Sequence, residues 1–150
     1  MGKKFSAAVS DWVRKSEAIA DVVVKTSVQR LAERANLDGP SVGRGASAGK
    51  GGRMPRVTGF LKNTMRAEIG SLPVGPKQNA EKKVFDDDEW SRGVSLVIDQ
   101  MKPGDVIYVG WSAVYARKME LKYAFMKGAA MEWQGIVNDV VAEARARIGG

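Results

Sequence analysis

Two short segments of the sequence contain residue types and spacings that could do chemistry. Gly45-Ala46-Ser47-Ala48-Gly49-Lys50-Gly51 is similar to a phosphate-binding loop. It has one residue too few between its glycines, however, and Gly51 stands where Ser or Thr would bind magnesium. The run Asp86-Asp87-Asp88-Glu89 could offer carboxylates to a metal ion. Consecutive residues at a helix start point in different directions, so we assign these carboxylates to stabilising a helix N-terminus.

The composition removes the commonest catalytic and metal-binding side chains. The chain of 150 residues has no cysteine and no histidine. Zinc sites of the Cys/His type, Cys–His nucleophiles and Ser–His–Asp triads are therefore excluded. A hydrophobic fraction of 44% is ordinary for a globular protein, and this length suits one domain, which we assign to residues 1–150. We expect a protein that is not an enzyme and that holds no cofactor or metal.

The positive charge of the chain is concentrated in one segment. The net charge is +7, and residues 39–67 contain no acidic residue but six basic ones, which are Arg44, Lys50, Arg53, Arg56, Lys62 and Arg66. Six of the 17 glycines also lie between residues 38 and 57. So few apolar side chains cannot offset the entropy cost of ordering this stretch. We predict a flexible basic arm over residues 38–57 that contacts something anionic, and a solvated loop is the alternative.

Hydrophobic periodicity predicts the elements from which this arm projects. Residues 5–36 read as one long helix, whose apolar stripe includes Val9, Trp12 and Ile19 and should pack against the core. Residues 60–72 alternate as in a strand, and a middle helix begins in the acidic run 86–89.

The second half of the chain completes the predicted fold. Asp105–Trp111 is the clearest strand, residues 115–123 suit either a helix or a strand, and residues 129–148 form a closing helix. No apolar run is long enough to cross a membrane. The predicted class is α+β, with a small, mostly antiparallel sheet packed against the long N-terminal helix, the middle helix and the C-terminal helix.

Three separated segments carry a recognisable pattern. Val57-Thr58-Gly59-Phe60-Leu61-Lys62-Asn63-Thr64 contains Thr-Gly-x-Leu-basic-Asn-Thr. A second segment runs from Gly104-Asp105-Val106-Ile107-Tyr108 through Tyr115-Ala116 to Glu120, and a third is Trp133-Gln134-Gly135-Ile136-Val137. Together they resemble a family of tailed-bacteriophage neck proteins of the head–tail joining or tail-completion type. The resemblance covers about residues 57–148, and Lys122 stands where the family usually has glycine.

The resemblance implies a structural protein of the virion neck, made in the host cytoplasm. Copies would form a ring, with a hexamer favoured by analogy. The ring would join the head-side connector or portal-adaptor proteins to the tail tube or its terminator, and genomic DNA would pass non-specifically through the lumen. The motif residues with a structural or interface role would be Thr58, Gly59, Leu61, Tyr115, Ala116 and Glu120.

Three of these residues also have an expected local role, and two other functions stay open. Thr58-Gly59 should form a turn that only glycine tolerates, and Glu120 should pair with a basic residue of its own or a neighbouring chain. A tail terminator that caps the tail tube is one alternative function. A basic DNA-binding protein that uses Gly39–Arg66 is the other, with an affinity that falls steeply with salt.

Overall fold

Six helices and one two-stranded sheet make up the part of the chain that the computed structural model describes, which is residues 2–39, 51–86 and 89–149. This confirms the predicted α+β class and the long N-terminal helix. In chain order the elements are α1 (Gly2–Ala35), α2 (Phe60–Asn63), β1 (Met65–Ile69), α3 (Glu89–Asp99), β2 (Ile107–Trp111), α4 (Ala116–Tyr123), α5 (Phe125–Met131) and α6 (Trp133–Gly149).

The sheet and three helices contribute to the first of two core clusters. β1 and β2 run antiparallel, with Met65 opposite Trp111 and Ile69 opposite Ile107. Met65 is fully buried, and the remaining buried members come from α1, α3 and α5: Val28, Ala32, Ala35, Trp90, Val94, Ile98 and Ala129. The apolar stripe of α3 therefore faces the sheet, as its spacing predicts.

A second core cluster lies where the two longest motif segments meet. Its buried members are Met54, Phe60, Leu61, Ala113 and Phe125. The rings of Trp111 and Phe125 meet edge to face, with their centroids 4.8 Å apart. Trp111 touches both clusters and donates from Nε1 to Asn36 Oδ1 over 2.8 Å. The indole thus joins the sheet to the C-terminal end of α1.

The segment predicted as a flexible arm, residues 38–57, is not confirmed at its described ends. Met54 is fully buried, and a parallel bridge pairs it with Asp38. Gly39 N donates to Met54 O over 2.9 Å, and Met54 N donates to Leu37 O over 3.1 Å. The buried side chain of Met54 and the hydrogen bonds of its backbone therefore fix both described ends of the segment to the body, although the segment is poor in apolar residues. Residues 40–50 of the predicted arm lie outside the described residues.

Two predicted elements were wrong in their extent. The strand predicted over residues 60–72 begins only at Met65, because Phe60–Asn63 form the helix α2 after a left-handed residue at Gly59. The closing helix predicted over residues 129–148 is interrupted at Glu132, which separates α5 from α6. A break of one residue leaves the apolar periodicity on both sides intact, so periodicity alone does not reveal it. The ambiguous residues 115–123 are mostly helical, as α4.

Candidate functional site

The turn at the start of the first motif has the conformation that the sequence predicts. Gly59 has φ of 82°, in the left-handed region that favours glycine. A Cβ there would also lie 3.3 Å from Phe85 O. The Thr58 hydroxyl accepts a hydrogen bond from Phe60 N over 3.2 Å. The turn thus starts α2 and sends Phe60 and Leu61 into the second core cluster.

Asn63, the second-last residue of this motif, joins three segments of the chain. Its Nδ2 donates to Gly59 O over 2.9 Å and to Asp86 O over 3.0 Å. Its Oδ1 accepts from Trp90 N over 2.9 Å, at the first turn of α3. The side chain is buried, so the polar atoms it pairs would otherwise be left without partners at high cost. Asn63 therefore holds the N-terminus of the middle helix against the motif turn.

Lys62 does not face an external anion, contrary to its predicted place on a partner-facing or DNA-facing arm. The side chain is buried, and Nζ lies 3.2 Å from Asp38 Oδ1. Arg56 reaches the same carboxylate, with Nη1 3.2 Å from Oδ2. Asp38 is therefore the counter-ion of two cations of the basic segment. A buried charge needs such a partner, because water no longer solvates it.

Two further cations of the basic segment also bond within the chain. Arg53 Nη1 lies 2.8 Å from Glu132 Oε2, and Arg66 Nη1 donates to Asn63 O over 2.6 Å. Arg53 lies so close to Gly128 that a Cβ on that glycine would be 2.6 Å from Arg53 Nε. All four described members of the six are thus bonded to the protein itself. Arg44 and Lys50 lie outside the described residues.

Glu120, the last residue of the second motif, accepts from backbone amides of its own chain, and the pairing predicted with a basic residue of a neighbouring chain stays a prediction. Its Oε2 accepts from Met126 N over 2.7 Å, and its Oε1 accepts from Lys127 N over 2.9 Å. These are free N–H groups at the start of α5, where a negative charge is favourable. Ala124 between the helices has φ of 53°. Glu120 therefore fixes the tight corner from α4 to α5.

The two longest motifs, far apart in sequence, line one open cavity of about 350 Å³. The motif residues that face it are Thr58, Gly59, Leu61 and Tyr115. Burial raises the pKa of the Tyr115 hydroxyl, and the ring lies 6.3 Å from that of Phe60. Ala116 instead packs against the second core cluster. The motif residues are thus brought together, mainly as the framework of the fold.

The N-terminal half of α1 lies outside the core, which corrects the expected packing of its apolar stripe. Trp12 is 68% exposed, Val9 is 43% exposed and Val13 is 39% exposed. Burial begins only near residue 27, where α1 meets the sheet and α3. The periodicity correctly indicates an apolar face, but no described residue covers its first half. This face was not among the sites predicted from the sequence.

Two ion pairs hold the C-terminal half of α1 against the C-terminal helices. Arg30 makes two hydrogen bonds to the Glu143 carboxylate, over 3.0 Å and 2.6 Å, and lowers its pKa. Glu132 accepts from Arg53 and from Arg34, which together lower the pKa of its carboxyl group. Glu132 lies at the break between α5 and α6, and no sequence signal marks it. These contacts add to the apolar packing of α1, in which Val28 and Ala32 are buried.

The described residues contain no cluster of three or more carboxylates that could hold a metal ion. Within the same residues, no helix combines the length and apolar character that crossing a membrane requires. No protein-family model, curated protein or solved structure matches the chain. The features of this chain that bear on its function are therefore the motif segments and the exposed face of α1.

Proposed function

We propose that this protein is a structural subunit of a tailed-bacteriophage neck. Copies form a ring, with a hexamer favoured, that joins the connector of the DNA-filled head to the tail tube and lets DNA pass. The proposal rests on the motif resemblance and on one structural observation, the exposed apolar face of α1. Trp12 on that face is 68% exposed. Exposed apolar surface of this kind is typical of proteins that bind a partner.

The motif residues support this proposal through the fold that they build. Gly59, Asn63 and Glu120 fix a turn, a helix start and a helix corner through backbone conformation and hydrogen bonds. A neck subunit needs such a framework because it must hold its contact surfaces in fixed positions within a ring. In this proposal the motif residues form the scaffold of the fold. The surfaces that contact neighbouring subunits lie elsewhere on the molecule.

The DNA-binding alternative gains no support from the described cations. Arg53, Arg56 and Lys62 are each paired with a carboxylate of the same chain. A cation already paired in this way contributes less to the release of counter-ions from DNA. A ring subunit that only surrounds DNA does not need these cations to be free.

Particles purified from an infected culture test the proposal directly. Mass spectrometry should detect the protein in virions in a small, fixed number of copies, and antibody labelling in electron microscopy should place it between head and tail. A phage that lacks the gene should accumulate filled heads and separate tails. Absence of the protein from particles would overturn the proposal. Tails of uncontrolled length in the deletion would favour the tail-terminator alternative.

A further inference from the structure

The first half of α1 projects beyond the helix that packs beside its second half. α6 runs along α1 so that Glu143 meets Arg30, and its last turns reach the level of Ser16 and Ile19. Residues 6–15 lie past that point. At 1.5 Å per residue they extend for about 15 Å. They carry Val9 and Trp12, both exposed.

The apolar stripe of the projection continues into the part of α1 that lies beside α6. Along this stripe, Val9, Trp12, Ser16, Ile19 and Val23 are separated alternately by three and four residues. This is the spacing of the contact positions in a coiled coil. The positions beside this seam are also mostly small or apolar, as at Val13 and Ala20. The face is therefore wide enough to pack between two helices of a partner.

The same chain offers a groove of matching chemistry. A cavity of about 580 Å³ lies between α1 and α6 and is open to solvent. Its apolar lining is provided by Ile19, Ala20, Val23, Val141 and Ala144. The residues are small or branched, so they leave space for a large flat side chain. An indole placed there would lose about 150–250 Å² of exposed surface.

The cations beside Trp12 are already paired with a carboxylate of the same helix. Residues 6–23 contain three acidic and two basic residues, and Lys3 and Lys4 precede them near the start of α1. Asp11 pairs with Arg14 over 3.2 Å and with Lys15 over 3.3 Å. Binding to DNA or to an anionic lipid surface draws on unpaired cations, which the stretch around Trp12 does not offer. The apolar groove of a second copy needs no cation and matches the apolar residues of the projection.

We propose that the projecting end of α1, centred on Val9 and Trp12, docks into the groove between α1 and α6 of a neighbouring copy. The projection and the groove are different surfaces of one chain, so the contact is head to tail and can close into a ring. This inference rests on the proposed function, in which copies form a ring, and it names the two surfaces that meet. It makes Trp12 the anchor of the contact between neighbours.

Disulfide cross-linking of the purified full chain tests which surfaces meet, and the absence of native cysteine makes it free of background. Val9→Cys protein, which keeps Trp12, and Ala144→Cys protein are oxidised separately and after mixing. Covalent dimers should form only in the mixture. Val74→Cys, at a position that is 85% exposed in the loop after β1, replaces Ala144→Cys in the control mixture and should give none. Efficient dimers of Val9→Cys alone would mean symmetric pairing of α1 and would overturn the proposal.

A second variant measures the contribution of the anchor. Trp12→Ser should weaken self-association by at least about tenfold, as the loss of a buried aromatic anchor does. Its unfolding midpoint as a dilute monomer should stay unchanged, since the side chain is exposed in a single copy. Leu121→Ser, at a site that is 82% exposed on α4, is the matched control and should associate normally. Unchanged association of Trp12→Ser would refute the docking.

The outcomes separate this inference from the proposed function. A protein that is present in virions but monomeric when purified overturns the docking and leaves the neck assignment standing. Cross-linking through residues 9 and 144 in a protein that particles lack overturns the neck assignment alone. Binding to anionic phospholipid vesicles without self-association would assign the face to lipid and would also overturn the docking.

Discussion

The motif framework, formed by residues 57–64 and 104–120, differs from the projecting half of α1 in whether its side chains find partners within the chain. In the framework, Asn63 pairs its amide with three backbone groups, and Lys62 shares the carboxylate of Asp38 with Arg56. In the projection, Trp12 and Val9 are exposed, and the nearby ion pairs join residues of the same helix. The framework is thus complete within one chain, whereas the projection is not.

This contrast indicates where stability and where assembly should be sensitive to substitution. Changes in the framework leave buried polar groups without partners, which costs stability in the single chain. Changes at exposed positions of the projection alter the free energy of unfolding little, because the side chains are solvated before and after unfolding. A framework substitution that changes only assembly would contradict this contrast. So would a substitution in the projection that changes only the free energy of unfolding.

The largest effect is expected for Asn63→Ala. The substitution leaves Trp90 N and Asp86 O without their partner, and we expect a loss of about 3 kcal/mol in the free energy of unfolding. Asn63→Asp keeps the acceptor but turns a second oxygen toward Gly59 O and Asp86 O, so it should lose at least as much. Urea unfolding followed by tryptophan fluorescence gives the values. Gln134→Ala, which removes an exposed amide bonded to Asn138, is the control, and an equal loss in both would contradict the role of Asn63.

A smaller loss is expected for Glu120→Ala. Two backbone N–H groups at the start of α5 lose a charged acceptor, which should cost about 1–2 kcal/mol. Thermal unfolding would show the loss as a lower Tm. Glu17→Ala on α1 changes the same charge at an exposed site and should leave Tm nearly unchanged. If Glu120→Ala is as stable as the parent, the carboxylate does not fix the corner between α4 and α5.

A gain is expected for Ala124→Gly in the same corner. Ala124 has φ of 53°, where a Cβ is unfavourable and glycine is not. We expect the free energy of unfolding to rise by about 0.5–1 kcal/mol. Ala142→Gly in the exposed part of α6 should lower it by a similar amount, because glycine destabilises a helix interior. The same sign in both variants would contradict this explanation.

The smallest effect concerns pH and the ion pairs that align α1. Arg30 lowers the pKa of Glu143, and Arg53 with Arg34 lowers that of Glu132, so the unfolded chain binds more protons at these sites. Their stabilisation is complete above the ordinary carboxyl pKa of about 4.3 and is lost as pH falls through the lowered values. Urea midpoints of a Glu132→Gln/Glu143→Gln variant should fall less steeply between pH 5 and pH 3 than those of the parent. Parallel curves would show that these pairs do not contribute.

Elements with a strong local signal could be predicted from the sequence, and contacts between distant segments could not. The spacing of apolar residues indicates α1 and α3, β-branched and aromatic residues indicate β2, and Gly59 marks its own turn. The link from Asn63 to Trp90 spans 27 residues, and no local pattern reports it. The burial of Met54 likewise depends on Leu37 and Gly39, which lie across the segment.

The exposed face of α1 shows a second limit of sequence patterns. Periodicity states which side of a helix is apolar but not what covers it. Trp12 and Val94 occupy equivalent stripes on their helices, yet Trp12 is 68% exposed and Val94 is 1% exposed. The exposure of the two side chains differs because α1 is longer than the elements that pack on it.

That length has a mechanical consequence. The C-terminal half of α1 is held in the body, where Val28 and Ala32 are buried, and residues 6–15 continue past the end of α6 as a stiff rod. At 1.5 Å per residue this rod is about 15 Å long, so a bend of about 10° where it leaves α6 displaces its tip by about 3 Å. A slight curvature of one helix can therefore change where Trp12 reaches, without any repacking of the core.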